Sequence, residues 1–188
     1  MSLPKYKYLL SYRYSEMIAD LTVAFCEKFL PGFDTRRTRE QMIQAARSGK
    51  QNIIEGISDA RTSTHVELKL LGIANGSLEE LLADYEDFLR QRNLIIWSKE
   101  DPKILAFRRK AYSLSHLSNL SNLGDLREKP VLPSNPEEAA NFLITLCHQA
   151  TYLLFCQIKA MEEKFIKEGG YTEKLLKERL KRRKEGKI

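Results

Sequence analysis

The chain has 188 residues, 43% hydrophobic and 30% charged, which is enough for one compact domain with a sizeable core, too short for two, and too apolar for a disordered chain. Its 31 Lys and Arg against 25 Asp and Glu leave +6, but residues 171–188 hold eight basic and three acidic side chains, so +5 sits in that stretch and only +1 is spread over the rest. The basicity that would draw an anionic partner belongs to the C-terminal end.

In the opening MSLPKYKYLLSYRYSE, Lys5, Lys7, Arg13 and Glu16 interrupt any signal-peptide core, and no run of about 18 apolar residues is expected to span a bilayer. Cys26, Cys147 and Cys156 are odd in number and lie in apolar stretches, so they read as small buried hydrophobes kept reduced. A cytoplasmic protein without membrane contact is the expectation. Tyr6, Tyr8, Tyr12 and Tyr14 are expected to cover one end of the fold rather than to stack bases.

No stretch shows sustained two-residue alternation, so every predicted element is a helix. The first runs from Ser15 to about Phe29, with Ile18, Leu21 and Phe25 on one face, and stops before Pro31 and Gly32; the tyrosine segment can extend it backwards. The second opens at Thr38, with Gln41 completing a capping box, and buries Met42, Ala46, Gly49 and Ile53; it ends at Gly56 or runs on to Ser58. After a loop over 59–63, Thr64 and Glu67 repeat the capping box, and Leu70, Ala74, Leu78, Leu81, Tyr85 and Phe88 form a heptad-like stripe to about Arg92. Asp101 and Pro102 start a less regular helix. Its leucines at 114, 117, 120, 123 and 126 recur every three residues and cannot share one face, so unwinding before Gly124 is expected. A loop over 127–135 follows. Asn135 and Pro136 then open the last long helix, whose stripe is Leu143, Cys147, Ala150, Leu154, Ile158, Met161 and Phe165, with apolar residues also on its sides at Phe142, Ile144, Leu146, Leu153 and Phe155. Such breadth predicts a central helix or one shared with another subunit. The expected fold is all-α, an up-down four-helix bundle of long helices over residues 1–170 with one further helix peripheral, and a basic tail over 171–188.

A search for chemistry returns little. His65, His116 and His148 fall on three different helices without a second ligand at metal-binding spacing, and Cys147 and Cys156 are half a turn apart around one helix. Neither Glu79 and Glu80 nor Glu162 and Glu163 has a histidine three residues on, the di-iron bundle pattern. No phosphate loop or nucleophile elbow is present. No catalytic residue, metal or cofactor is therefore predicted, and the chain reads as non-enzymatic.

Two segments are more specific: Ser48-Gly-Lys-Gln-Asn52-Ile-Ile-Glu55-Gly56 and Ala74-Asn-Gly76-Ser77-Leu78-Glu-Glu80-Leu81. Together they resemble the paired signature of the four-helix-bundle family of 23S rRNA intervening-sequence proteins, with Ile54 in place of the usual alanine. Phe29 and Pro31 are similar to that family's Phe-Pro, with Leu30 inserted. The resemblance covers residues 8–97 and implies an up-down bundle. Its kinship with accessory variability proteins of diversity-generating retroelements implies a homo-oligomer, in those proteins a pentameric ring that binds nucleic acid and a protein partner. Read on their own, Ser48, Asn52 and Glu55 form a polar strip beside the core stripe of their helix, and Gly76 and Ser77 suggest a close helix approach. Asn52 and Glu55 are then expected to bond across to Ser77 or to the carbonyls exposed there, a structural register rather than catalysis.

The tail, with Thr172 as its cap, offers Lys174, Lys177, Arg179, Lys181, Arg182, Arg183 and Lys184 as candidate contacts to RNA or DNA. No base-reading motif accompanies them, so binding would be sequence-tolerant. The function expected from the sequence is an oligomeric structural or accessory protein that touches nucleic acid; the alternative is a protein-interaction scaffold that does not.

Overall fold

The computed structural model describes residues 4–59, 64–115 and 131–185. All regular elements among them are helical: a 3-10 turn Lys5–Tyr8, then α1 Leu10–Phe29, α2 Arg36–Asp59, α3 Thr64–Gln91, α4 Pro102–Ser115, α5 Pro136–Glu168 and α6 Tyr171–Lys184. The leucines at 117, 120, 123 and 126, Gly124, His116 and the loop residues 60–63 and 127–130 lie outside the described residues.

Local chemistry sets the boundaries. α1 takes in Tyr12 and Tyr14 and starts at Leu10, while Tyr6 and Tyr8 lie in the separate 3-10 turn. It stops because Leu30, preceding a proline, leaves helical geometry at φ −128, ψ 46. The expected start of α2 at Thr38 is corrected to Arg36. The connecting loop is fastened by side chains: Arg39 Nη1 donates to the Leu30 carbonyl at 2.9 Å and Thr35 Oγ1 lies 3.0 Å from the same oxygen, so the turn closes early and Thr38 falls inside the helix. α2 runs on past Gly56 to Asp59. Asp101 caps α4, its Oδ1 accepting from Lys103 N at 2.8 Å. Asn135 caps α5, accepting from Glu138 N at 3.1 Å.

α2 packs on α3, α3 on α5, α5 on α1 and α1 on α2, while α4 lies against α5 and α1. The direction of each pairing follows from who meets whom. Gly49 faces Leu78 whereas Gly56 faces Leu70, so α2 and α3 are antiparallel. Thr22 meets Tyr85 and Phe29 meets Phe88, so α1 and α3 are parallel. Most of the predicted stripe residues are buried: Ile18, Leu21 and Phe25; Met42, Ala46 and Ile53; Ala74, Leu78, Leu81, Tyr85 and Phe88; Leu143, Cys147, Ala150 and Leu154. Leu70, Ile158 and Met161 are only half-buried, and Phe165, expected in the core stripe of α5, is exposed, because α5 outruns the helices packed on it. At the centre, the Phe25 ring stands edge-on to Tyr85 and Phe88, with centroids 5.1 and 4.8 Å away. Tyr12 and Tyr14 are buried and Tyr6 packs edge-on against Tyr12 at 4.8 Å, so the aromatic opening closes one end of the core.

The breadth of α5's apolar surface has a plain cause. Every residue from Ala139 to Cys147 is buried, because α1 and α3 hold one side, α4 the other through Phe107 on Phe142, and the chain at 95–97 crosses over. That crossing is fixed by Asn141, which donates to the Ile95 carbonyl at 2.9 Å and accepts from Trp97 N at 2.8 Å, and by Glu137, which accepts from the indole at 2.8 Å. The expectation that nothing here resembles a membrane span needs correction. Ala139 to Ile158 contains no charged side chain, and the helical run Pro136–Lys184 holds a stretch long and apolar enough to cross a bilayer, 61% of it buried inside the protein. Burial in the core accounts for the apolarity of Ala139 to Cys147. Cys26 and Cys147 are buried as expected and Cys156 is exposed, the half-turn offset placing it on the outer face.

Candidate nucleic-acid interface and the polar motif between helices

The motif residues come together differently from the expectation. Ser48 and Ser77, across the α2–α3 seam, are linked hydroxyl to hydroxyl at 2.9 Å. Asn52 does not reach α3: its amide donates to the Ser48 carbonyl at 2.9 Å and to Ser48 Oγ at 3.1 Å, one turn back on its own helix. Asn52 therefore orients Ser48, and Ser48 makes the bridge. Glu55 is exposed, so its expected bond to Ser77 is also corrected.

The close approach lies elsewhere than at Gly76. Gly76 is exposed and a Cβ built there meets nothing within 4 Å; at Gly49 it would sit 2.8 Å from Leu78 Cδ2, and at Gly56 it would sit 3.3 Å from Leu70 Cβ. Gly49 and Gly56 on α2, rather than Gly76 on α3, admit the neighbouring helix. Glu80 is exposed, and with Ser48 and Ser77 it lines an open trough of about 370 Å³ between the two helices. Burial, reinforced by the like charges of Glu80 and Asp87, pushes the Asp84 carboxyl above its ordinary range. The lining of the trough includes no histidine or cysteine, and the hydroxyls of Ser48 and Ser77 are bonded to each other.

All seven candidate basic residues of the tail, Lys174, Lys177, Arg179, Lys181, Arg182, Arg183 and Lys184, lie on α6, and the helix buries none of its residues. It is separated from α5 by Gly169, whose φ of 72 is a left-handed turn, and Gly170, which caps α6 in place of the expected Thr172. Lys174 pairs with Glu168 at 3.0 Å and holds that carboxyl below its ordinary range, while Arg182 pairs with Glu178 at 3.2 Å. At 100° per residue the seven positions spread around the whole circumference, so α6 presents a cylinder of positive charge without a base-reading face. Arg13, which in the sequence reads only as a charge interrupting the opening, is buried and donates to the carbonyls of Lys7 (3.0 Å) and Ser115, so that it ties the N-terminal turn to the end of α4.

His65 and His148 are exposed, and no group of three metal-ligating side chains occurs among the described residues. The chain matches no protein-family model, no curated protein and no solved structure.

Proposed function

We propose that this chain is a non-enzymatic, self-associating component built on an up-down four-helix bundle of α1, α2, α3 and α5, with α4 peripheral, and that it holds nucleic acid through α6. The observation that carries the reading is α6 itself. A fourteen-residue helix with seven basic and two acidic side chains, none buried, adds nothing to the core and everything to the electrostatic reach of the molecule. Contact is with phosphates and tolerant of sequence, since the charges surround the helix. The signature around Ser48 and Ser77 supports placing the bundle with the intervening-sequence proteins. A reducing, cytoplasmic setting suits three cysteines that are not paired with each other.

The near-neutral body favours a second reading, a protein scaffold that ignores nucleic acid. Deleting residues 171–188 and titrating single- and double-stranded oligonucleotides at two salt concentrations decides between them. The proposal expects tight binding that weakens steeply with salt in the full chain and is lost on deletion. Equal affinity before and after deletion removes α6 as the contact, and no affinity in either chain leaves the scaffold.

A further inference from the structure

Past Ala150 the outer face of α5 carries Tyr152, Phe155 and Ile166, exposed by 67, 59 and 81%. With Lys159 and Glu162 between them they form one stripe, since successive steps of three and four residues return to the same side of a helix. A fold that buries α5 on all sides from Ala139 to Cys147 leaves its second half with a row of large apolar side chains in water. Among the described residues neither Lys159 nor Glu162 has an ion pair.

The order of residues along the stripe says what fits it. If two copies of α5 cross antiparallel about a two-fold axis passing between Ala160 and Met161, Phe155 lies against Ile166 of the second copy. Lys159 then lies against Glu162 of that copy, and the symmetry repeats both contacts. The stripe is thus complementary to itself, apolar to apolar and acid to base, which is the requirement of an isologous interface. Shifting the axis to Lys159 would set Lys159 against its own copy, so the charges select the register. An oligonucleotide would find aromatic rings and one acid beside the single lysine; a second α5 offers Phe155, Lys159, Glu162 and Ile166 a partner each.

We infer that the outer stripe of α5 is a two-fold docking seam for a second copy of this chain. This rests on the self-association proposed above and assigns it a surface. With three large apolar side chains per copy the seam is small, below the ~1,200 Å² of a firm specific interface, so the pair is reversible and its population depends on concentration.

The test is a charge swap followed by sedimentation over a range of concentrations, with circular dichroism to check the fold. Lys159→Glu and Glu162→Lys each set like charges together twice and should weaken the pair about tenfold or more. The double variant restores opposite charges and should return close to the wild-type association. Phe155→Ser, at an exposed position, should dissociate the pair with the helical signal intact. Single variants that associate as the wild type does, a double variant that fails to recover, or a wild-type assembly of five copies indifferent to all three changes would each overturn the seam while leaving self-association standing. A wild-type chain that is monomeric at every concentration would overturn both.

Discussion

At the scale of single residues, the centre of the protein contains a polar pair whose protons can be assigned. Thr22 Oγ1 donates to the Ile18 carbonyl at 2.6 Å, one turn back on α1. A hydroxyl has a single proton, so in the 2.8 Å contact between Thr22 and Tyr85 the phenol is the donor. Tyr85 is fully buried, and burial holds its hydroxyl well above the ordinary tyrosine range. The two partners are therefore unequal. Tyr85→Phe removes a donor and leaves Thr22 bonded to Ile18, a loss of about 1 kcal/mol or less, whereas Thr22→Val leaves a buried phenol proton with no acceptor, at about 1–3 kcal/mol. Since apolar replacement of both partners strands nothing, the double variant should be more stable than Thr22→Val alone. Urea midpoints of the three variants check the order, and a Thr22→Val chain more stable than Tyr85→Phe would reverse the assignment.

At the scale of elements, α2 and α3 make opposite uses of glycine. Gly49 lets Leu78 approach where a Cβ would lie 2.8 and 2.9 Å from its Cδ2 and Cγ; Gly76 faces open space. Gly49→Ala should therefore destabilise by about 1–3 kcal/mol through overpacking. Gly76→Ala should stabilise by about 1 kcal/mol, the helix-propensity difference with no steric offset. Thermal unfolding of the two variants should move in opposite directions; a stabilising Gly49→Ala would mean that the seam can open at little cost. The contrast shows what the sequence could reveal about these helices. Their existence and buried stripes were legible, because Met42, Ala46, Gly49 and Ile53, or Leu78, Leu81 and Tyr85, repeat at the spacing a helix requires whatever it packs against. The choice between Gly49 and Gly76 was not legible, because it depends on the rotation of one helix against the other, and both lie mid-helix in the motif. The partner of Asn52 was hidden for a similar reason: an amide one turn from a serine can bond back along its own helix as readily as across. The start of α2 depended on Arg39 and Thr35 reaching back to the Leu30 carbonyl, a loop geometry that the capping pattern at Thr38 does not encode. Asn141, a lone amide in the apolar run of α5, was the one available sign that the chain at 95–97 crosses there.

At the scale of the whole molecule, cohesion and charge are separated in space. Each of the five ion pairs among the described residues has both side chains at least half exposed, and none joins α1, α2, α3 or α5 to one another. The long helices are held by apolar contact and a few neutral hydrogen bonds, which salt does not screen. α6 holds a +5 excess and buries nothing. Two consequences follow and can be read on the same pair of proteins, the full chain and one ending at Glu168. Their melting temperatures should agree within about 2 °C and change little between low and high sodium chloride, because exposed pairs contribute at most ~1 kcal/mol each and none links the core. Oligonucleotide binding should differ greatly between the two chains and, in the full chain, collapse over the same salt interval. A shortened chain that melts much earlier would show that α6 braces the core, and the helix would then be part of the fold rather than the charged arm that the binding proposal requires.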